Sequence, residues 1–182
     1  NINFVTPGHY LPQILAALLQ AIPRGFRLPI VWNTSGYEKA DALRLLDGIV
    51  DIYLRDMKYA DDEQPVRLSS APGYREYNRA AVMEMLMQVG HLKLDEEGIA
   101  ERGIIIRHLV LPERRAGSRE TLGWIAENLG TETHIALMNQ YFPAYLAPET
   151  PGIDRGITCE EYREAVDALD EFGLENGWVQ EL

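Results

Sequence analysis

Residues 104 to 112 read Ile-Ile-Ile-Arg-His-Leu-Val-Leu-Pro, and this stretch decides the fold class. Strands of a parallel sheet are buried on both faces, so they occur in a sequence as nearly continuous apolar runs. The run around Arg107 has this form, with three isoleucines before it and Leu109 to Leu111 after it. It predicts a buried strand in a parallel sheet.

Further strands and helices alternate on both sides of this stretch. Strand-like runs occupy residues 2 to 6, 29 to 35, 49 to 58 and 134 to 141, and a short last one lies at 179 to 182. Helical patterns lie between them; Thr158 and Glu161 form a capping-box pair before one helix, and Ser118 is the expected cap of another. This alternation is typical of a parallel sheet covered by helices.

The length of the chain limits the architecture. A closed barrel of eight strand-helix units needs about 250 residues, and 182 residues leave room for five or six units. We therefore predict one α/β domain over residues 1–182, an open or partial (β/α) barrel of five to six mainly parallel strands. Residues 90–103, acidic between short apolar stretches, predict an inserted hairpin or surface excursion, and residues 142–157, rich in proline and glycine, an irregular loop.

Charge and cysteine content exclude several functions. A formal net charge of -11 is the opposite of the clustered Lys and Arg that nucleic-acid binding requires. No apolar stretch approaches the ~20 residues of a membrane span. The single cysteine, Cys159, can form no internal disulfide and cannot by itself hold an iron-sulfur cluster. Because no targeting segment is visible, we expect a cytoplasmic protein that binds neither membrane nor nucleic acid.

Polar side chains lie in the predicted strands, mostly at their carboxyl ends, where reacting groups collect in sheets of this kind. The members of each pair are two positions apart, so strand geometry points them to the same face. The set consists of Asn33 and Ser35, Asp56 and Lys58, Arg107 within its own strand, and Asn139 and Tyr141. One concave site could receive all of them.

Among these residues, Arg107 is the one whose environment most clearly requires an anionic partner. A guanidinium flanked by isoleucines, leucine and valine is costly to bury unless an anion meets it. A bound anionic ligand can serve, and so can an internal carboxylate, for example Asp56. The sequence leaves both interpretations open.

Three stretches resemble successive strand motifs of pyruvate formate-lyase activating enzyme and its relatives, which are radical S-adenosylmethionine (SAM) enzymes. They are Ile-Val-Trp-Asn-Thr-Ser-Gly at residues 30–36, Val-Asp-Ile-Tyr-Leu-Arg-Asp-Met-Lys at 50–58, and Ile-Arg-His-Leu-Val-Leu-Pro at 106–112. In that family the second strand ends Thr-Asn-Gly, the third carries Asp-x-Lys, and the fourth reads Ile-Arg-x-x-Val-x-Pro. Order and spacing agree across roughly residues 1 to 145.

The resemblance implies a SAM site and the chemistry that goes with it. The wall of that site would consist of Asn33, Ser35, Asp56, Lys58, Arg107, Leu109 and Tyr141. Asp56 and Lys58 would address polar groups of SAM, and Leu109 would lie near adenine. In such enzymes a [4Fe-4S] cluster donates one electron to SAM, and the resulting 5'-deoxyadenosyl radical abstracts a hydrogen atom. The implied partners are a glycyl radical enzyme and a flavodoxin- or ferredoxin-type reductant.

The chain also departs from the family. Tyr141 stands where the family often has histidine, and Glu113 replaces the usual glycine after Pro112. The cluster motif C-x3-C-x2-C and the Gly-Gly-Glu motif for the SAM amino group lie upstream in the family, and neither occurs in these 182 residues. We therefore expect this chain to be a later part of such an enzyme. On its own it should be inactive and should contain no catalytic or metal-ligating residues. We also expect it to self-associate through its first strand.

Two other functions fit the same residues. An aldolase-like barrel would use Lys58 as a Schiff-base nucleophile and Asp56 as a proton shuttle. A non-catalytic scaffold would only bind a protein, with Arg107 in a structural ion pair. Among the four histidines, His9 is best placed for a site because it follows the first strand, and we interpret it as a structural loop residue.

Overall fold

The computed structural model describes residues 1–181 and is an α/β structure built on a mainly parallel sheet. Its strands are β1 (Ile2–Val5), β2 (Ile30–Thr34), β3 (Ile52–Asp56), β4 (Lys93–Leu94), β5 (Ala100–Leu109), β6 (His134–Met138) and β7 (Gly177–Val179). Its helices are α1 (Leu11–Ala21), α2 (Ala40–Leu43), α3 (Glu63–Ser69), α4 (Tyr74–Val89), α5 (Ser118–Leu129) and α6 (Cys159–Glu171).

The order of the strands in the sheet confirms the predicted fold class. β1, β2, β3, β5, β6 and β7 lie side by side in chain order, and each neighbouring pair is parallel. Because crossovers between parallel strands are right-handed, a sheet that always grows in one direction carries its helices on one face. Within residues 1–181, β1 does not pair with β7, so the sheet stays open and forms a partial (β/α) barrel.

The two faces of the sheet differ in burial. Side chains that point to the helices are almost completely buried, among them Trp32, Tyr53 and Ile106. Side chains that point the other way, such as Leu54 and Ile105, are half-buried. This second face, which we call the open face, corresponds to the inside of a barrel that has not closed.

The helices complete the core on the covered face of the sheet. α1, α4, α5 and α6 each contribute an apolar stripe, as the periods of their sequences predict, and the short α2 contributes Leu43. Buried members of these stripes are Leu18, Val82, Met85, Leu122, Ile125, Ala165 and Leu169. A second, smaller core cluster surrounds Tyr59 and Tyr74 beyond the carboxyl end of β3.

Residues 90–103 contain a hairpin. β4 runs antiparallel to the start of β5, and the carboxylate of Asp95 accepts hydrogen bonds from the N–H groups of Glu97 and Ile99 in the turn. β5 therefore begins at Ala100 and not at residue 104. The apolar pattern misses these first residues because they pair with β4 and are not buried on both faces.

Several predicted strands are too long at their carboxyl ends. β3 ends at Asp56 and β6 ends at Met138, whereas the sequence predicts ends at residues 58 and 141. Beyond β6, the backbone N–H of Asn139 donates to the side chain of Gln180 at 2.9 Å and so leaves the sheet. The last strand is β7 and not residues 179–182, of which Leu182 lies outside the described residues.

The two predicted helix starts have different outcomes. At α6 the Thr158 hydroxyl accepts from the N–H of Glu161 at 3.2 Å, and the Glu161 carboxylate accepts from the N–H of Thr158 at 2.8 Å, as predicted. The expected cap at Ser118 is wrong, because Gly117 is the N-cap and Ser118 lies inside α5. The Ser118 hydroxyl instead meets His108 across the core.

The connection from β6 to α6 is irregular apart from a short 3-10 turn at Ala147–Glu149. Phe142, Tyr145 and Leu146 in this loop are exposed. No helix in the part of the chain that the structure describes combines the length and the apolar character needed to cross a membrane.

Candidate functional site

A cluster of polar side chains lies on the open face at the carboxyl ends of β2, β3 and β5. Arg107 is the register partner of Asp56 across the β3–β5 ladder. Asn33 is the register partner of Leu54, which lies two residues before Asp56 and therefore on the same face. The strand register thus brings these three residues together, although Asn33 and Arg107 are 74 positions apart in the chain.

The contacts within this cluster are short and charged. Arg107 Nε and Nη2 lie 2.7 and 2.6 Å from Asp56 Oδ1, and Nη2 donates to Asn33 Oδ1 at 2.8 Å. Lys58 Nζ approaches Asp56 Oδ2 at 3.4 Å. Two cations therefore share one carboxylate, which leaves one positive charge in excess. We call Asn33, Asp56, Lys58 and Arg107 the ion cluster.

The ion cluster shows which anion pairs with Arg107. The internal partner is Asp56, the candidate that the sequence analysis names. The Arg107 side chain is nevertheless 25% exposed and that of Lys58 36% exposed, while Asp56 is 12% exposed. Both cations are accessible from the open face, so the cluster can receive an additional anionic or polar group.

The other predicted site residues lie next to this cluster and make different contacts. Ser35 and Lys58 line a cavity of about 130 Å³ together with three tyrosines, Tyr37, Tyr59 and Tyr74. Tyr37 stacks on Tyr74 with ring centres 6.0 Å apart. This small aromatic cavity extends the cluster toward the loop after β2.

Leu109 and Tyr141 pack against the smaller core cluster around Tyr59. The Tyr141 hydroxyl donates to the carbonyl oxygen of Ile153 at 2.8 Å, and partial burial raises the pKa of Tyr141. Because β6 ends at Met138, Asn139 and Tyr141 lie outside the strand, and the prediction that they share a strand face is wrong. Asn139 donates to the carbonyl oxygen of Glu181 at 2.7 Å and does not join the ion cluster.

Arg55 is the most informative residue that the sequence analysis misses. It points to the covered face and is completely buried, and burial lowers the pKa of its guanidinium to about 10. Nη1 donates to the carbonyl oxygen of Asn78 at 3.0 Å, and Nη2 donates to those of Gly36 and Asp56 at 3.4 and 3.3 Å. A charged residue at a helix-facing position of an apolar strand is the signal that could have found it.

Asn78 of α4 completes this arrangement. Its Nδ2 donates to the carbonyl oxygens of Gly36 and Asp56 at 3.1 and 3.0 Å. The backbone N–H of Lys58 donates to the hydroxyl of Tyr74, also on α4, at 3.0 Å. We call Arg55, Asn78 and Tyr74 the buried clamp, because they hold the ends of β2 and β3, and with them the ion cluster, against α4.

Gly36 shows how tightly the buried clamp closes. It has a φ of +76°, and a Cβ at this position would overlap Arg55 Nη2 and the carbonyl oxygen of Asp56. Only glycine combines this backbone conformation with this close approach. Packing against the buried clamp therefore explains the glycine at position 36.

His108 has a structural role. It is fully buried, and burial lowers its pKa to about 4, so the ring is neutral near pH 7. Nδ1 lies 2.6 Å from the carbonyl oxygen of Met57, which can only accept, so Nδ1 carries the proton. Nε2 therefore accepts from the Ser118 hydroxyl at 2.9 Å. This chain of bonds ties β5 to the end of β3 and to α5.

A metal ion finds no ready ligand set in this part of the protein. Among residues 1–181, no three His, Cys, Asp or Glu side chains are placed to hold one. Cys159 is exposed at the start of α6.

Comparison with known proteins yields a relative without an assigned activity. No family model matches the chain. Over 176 residues it is 32% identical to an uncharacterized protein of Methanocaldococcus jannaschii, a match that covers 96% of this chain. The chain spans about half the length of that relative, 47% of it.

Proposed function

We propose that the open face binds SAM as part of a radical SAM enzyme of the glycyl-radical-activating type. The observation that carries the proposal is the ion cluster, which collects Asn33, Asp56, Lys58 and Arg107 at the carboxyl ends of three parallel strands. Ligands of parallel α/β sheets and barrels bind at this end of the strands. The strand motifs that contain these residues are those that resemble the activating enzymes.

The chemistry of the cluster fits SAM. SAM joins a carboxylate and an ammonium group to ribose hydroxyls and a flat adenine ring. The excess positive charge of Lys58 and Arg107 suits a carboxylate, while Asp56 and Asn33 offer acceptors for hydroxyl or ammonium groups. Half-buried apolar side chains on the same face, including Leu109, suit an adenine ring.

The iron-sulfur cluster requires residues that this chain does not contain. A [4Fe-4S] cluster is held by cysteine thiolates, and Cys159 is the single cysteine among the 182 residues. Its ligands would therefore lie outside this sequence. When both cofactors are bound, they supply reductive SAM cleavage and a 5'-deoxyadenosyl radical that removes a hydrogen atom from the substrate. The residues described here bind and orient SAM, with the buried clamp fixing the strand ends.

A glycyl radical enzyme as target and a flavodoxin or ferredoxin as reductant belong to the same proposal. The aldolase alternative has less support, because Schiff-base lysines work in desolvated pockets, whereas Lys58 is 36% exposed and paired with Asp56. A purely structural ion pair would also place Asp56 beside Arg107. It does not account for a second cation on the same carboxylate.

The experiment is anaerobic reconstitution of the full-length protein with iron and sulfide, followed by reduction in the presence of SAM. We expect the absorbance of a [4Fe-4S] cluster and the formation of 5'-deoxyadenosine. Lys58→Ala and Arg107→Ala should retain the cluster absorbance and lose most of the 5'-deoxyadenosine. Glu127→Ala, an exposed charge on α5, is the control that should change neither. A reconstituted protein without a cluster, or one that leaves SAM intact, contradicts the proposal.

A further inference from the structure

A second cavity, lined by Trp32 and Thr34 of the covered face, meets the aromatic cavity beside the ion cluster at Ser35 and Tyr37. It has a volume of about 310 Å³ and lies between the turn after β1, the first residue of α1 and the segment after β2. Its apolar wall is formed by Leu11, Trp32, Ala42, Leu43 and Leu46. None of the four ion-cluster residues lines it.

Glu38 is the charged group that organises this cavity. Its Oε1 accepts from Trp32 Nε1 at 3.2 Å, and its Oε2 accepts from the Thr34 hydroxyl at 2.7 Å. Trp32 is 1% exposed and Thr34 is 3% exposed, so both donors belong to the core. Each carboxylate oxygen is thus held by one neutral donor and keeps acceptor capacity on its cavity side.

Two basic side chains, Lys39 and His9, also line the cavity, but the Glu38 carboxylate pairs with neither of them. Within residues 1–181, no Lys, Arg or His side chain forms an ion pair with Glu38. The buried Arg55 attracts it at longer range, but the donors of Arg55 go to backbone carbonyls. A carboxylate held only by neutral donors beside an apolar wall is a site for a cation.

Gly8 keeps the approach to this carboxylate open. A Cβ built at Gly8 would lie 3.0 Å from Glu38 Oε1, closer than ordinary side-chain contacts. Gly8 is not among the glycines with positive φ, so its backbone conformation does not require glycine. The absence of a side chain at this position matters for space. His9, which the sequence analysis interprets as a structural loop residue, lies in the same wall.

We propose that this cavity binds a small primary amine with a short apolar tail, its ammonium group on Glu38 and its tail against Trp32, Leu43 and Leu46. The volume is at the lower end of the range for small-molecule sites, about 300 to 1,000 Å³, so the ligand is small. The ammonium can belong to a simple amine or to an apolar amino acid. The cavity borders the proposed SAM site at Ser35, a predicted SAM-site residue that also lines this cavity.

Calorimetric titration of the full-length protein with isoamylamine, isoamyl alcohol and leucine tests this. The amine should bind about tenfold or more tightly than the alcohol of the same shape, because only the amine forms a charge-assisted bond. The Trp32 indole N–H resonance should shift on binding, since this group donates to Glu38. Leucine binding at least as tight as isoamylamine supports the site and identifies an amino acid as its ligand.

Two variants and one control locate the site. Glu38→Gln keeps an acceptor for Trp32 or Thr34 and should reduce amine affinity about tenfold or more, to that of the alcohol. Gly8→Ala leaves the charge in place and should also weaken the amine, because its methyl group displaces the carboxylate. Glu127→Gln, exposed on α5, should bind like the unmodified protein. Equal affinities for amine and alcohol, no binding of either, or amine binding unchanged in both cavity variants would overturn the proposal.

Discussion

The ion cluster can be weighed by a double-mutant cycle on Asp56→Asn and Arg107→Gln. Arg107 approaches Asp56 Oδ1 through two nitrogens at 2.7 and 2.6 Å. A hydrogen bond to a charged group contributes about 1.5 to 3 kcal/mol, and exposure of a quarter of the Arg107 side chain lowers this through solvent screening. We therefore expect a coupling energy of about 1 to 2 kcal/mol between the two residues.

The distances and the exposure in the ion cluster predict which single variants lose more unfolding free energy. Asp56→Asn leaves Arg107 and Lys58 next to each other without the carboxylate between them, so it should cost about 2 to 3 kcal/mol of unfolding free energy. Lys58→Ala removes a more exposed partner at 3.4 Å and should cost less than about 1 kcal/mol.

Equilibrium urea unfolding of the four proteins of the cycle and of Lys58→Ala, followed by tryptophan fluorescence, gives these free energies. A coupling energy below about 0.5 kcal/mol would show that the Arg107–Asp56 contact contributes no more than a fully exposed pair. Lys58→Ala costing more than Asp56→Asn would refute the view that the Asp56 carboxylate holds both cations in place.

Three further predictions concern parts of the fold that support the site. Burial lowers the pKa of His108 from 6.5 in the unfolded chain to about 4 in the folded protein. The unfolding free energy should therefore decrease by up to about 3 kcal/mol as the pH is lowered from about 6.5 to about 4. In His108→Gln, urea unfolding over that range should show a weaker dependence of the unfolding free energy on pH. Gly36→Ala should lower the unfolding free energy by at least about 2 kcal/mol, because residue 36 has a positive φ and an added methyl group would overlap Arg55. Gly25 has a φ of +95° and open space around it, so Gly25→Ala should cost about 1 kcal/mol. Equal losses in the two variants would contradict a contribution of the overlap. Thr158→Ala should cost about 1 kcal/mol through the lost capping bond, whereas Thr158→Ser should restore most of it in thermal unfolding.

The sequence predicts the sheet because its strands are buried on both faces and therefore read as apolar runs. The same rule explains the errors at strand ends. β5 starts four residues before the predicted start because its first residues lie before its pairing with β3 and pair with β4, where burial is lower. β6 ends at Met138 because Asn139 bonds to the segment after β7, a contact between residues 41 positions apart.

The ion cluster could be predicted, and so could the burial of Arg55, whereas the hydrogen-bond partners of Arg55 could not. Asn33, Asp56 and Arg107 lie at strand ends, and strand register alone brings them to one face. The partners of Arg55 are backbone carbonyls, which every residue has, so no sequence pattern marks them. Ser118 is a similar case, because its bond to His108 depends on how α5 docks against β5.

If the open face binds SAM through the ion cluster, as we propose, equilibrium binding of SAM to the full-length protein should depend on the two cations of the cluster. Unmodified protein should bind SAM, and Arg107→Ala and Lys58→Ala should each weaken binding about ten- to hundredfold through loss of a charge-assisted contact. Melting temperatures measured on the same samples should fall much less than the affinity does. SAM affinity that is unchanged in both variants, with the folded state intact, would contradict the claim.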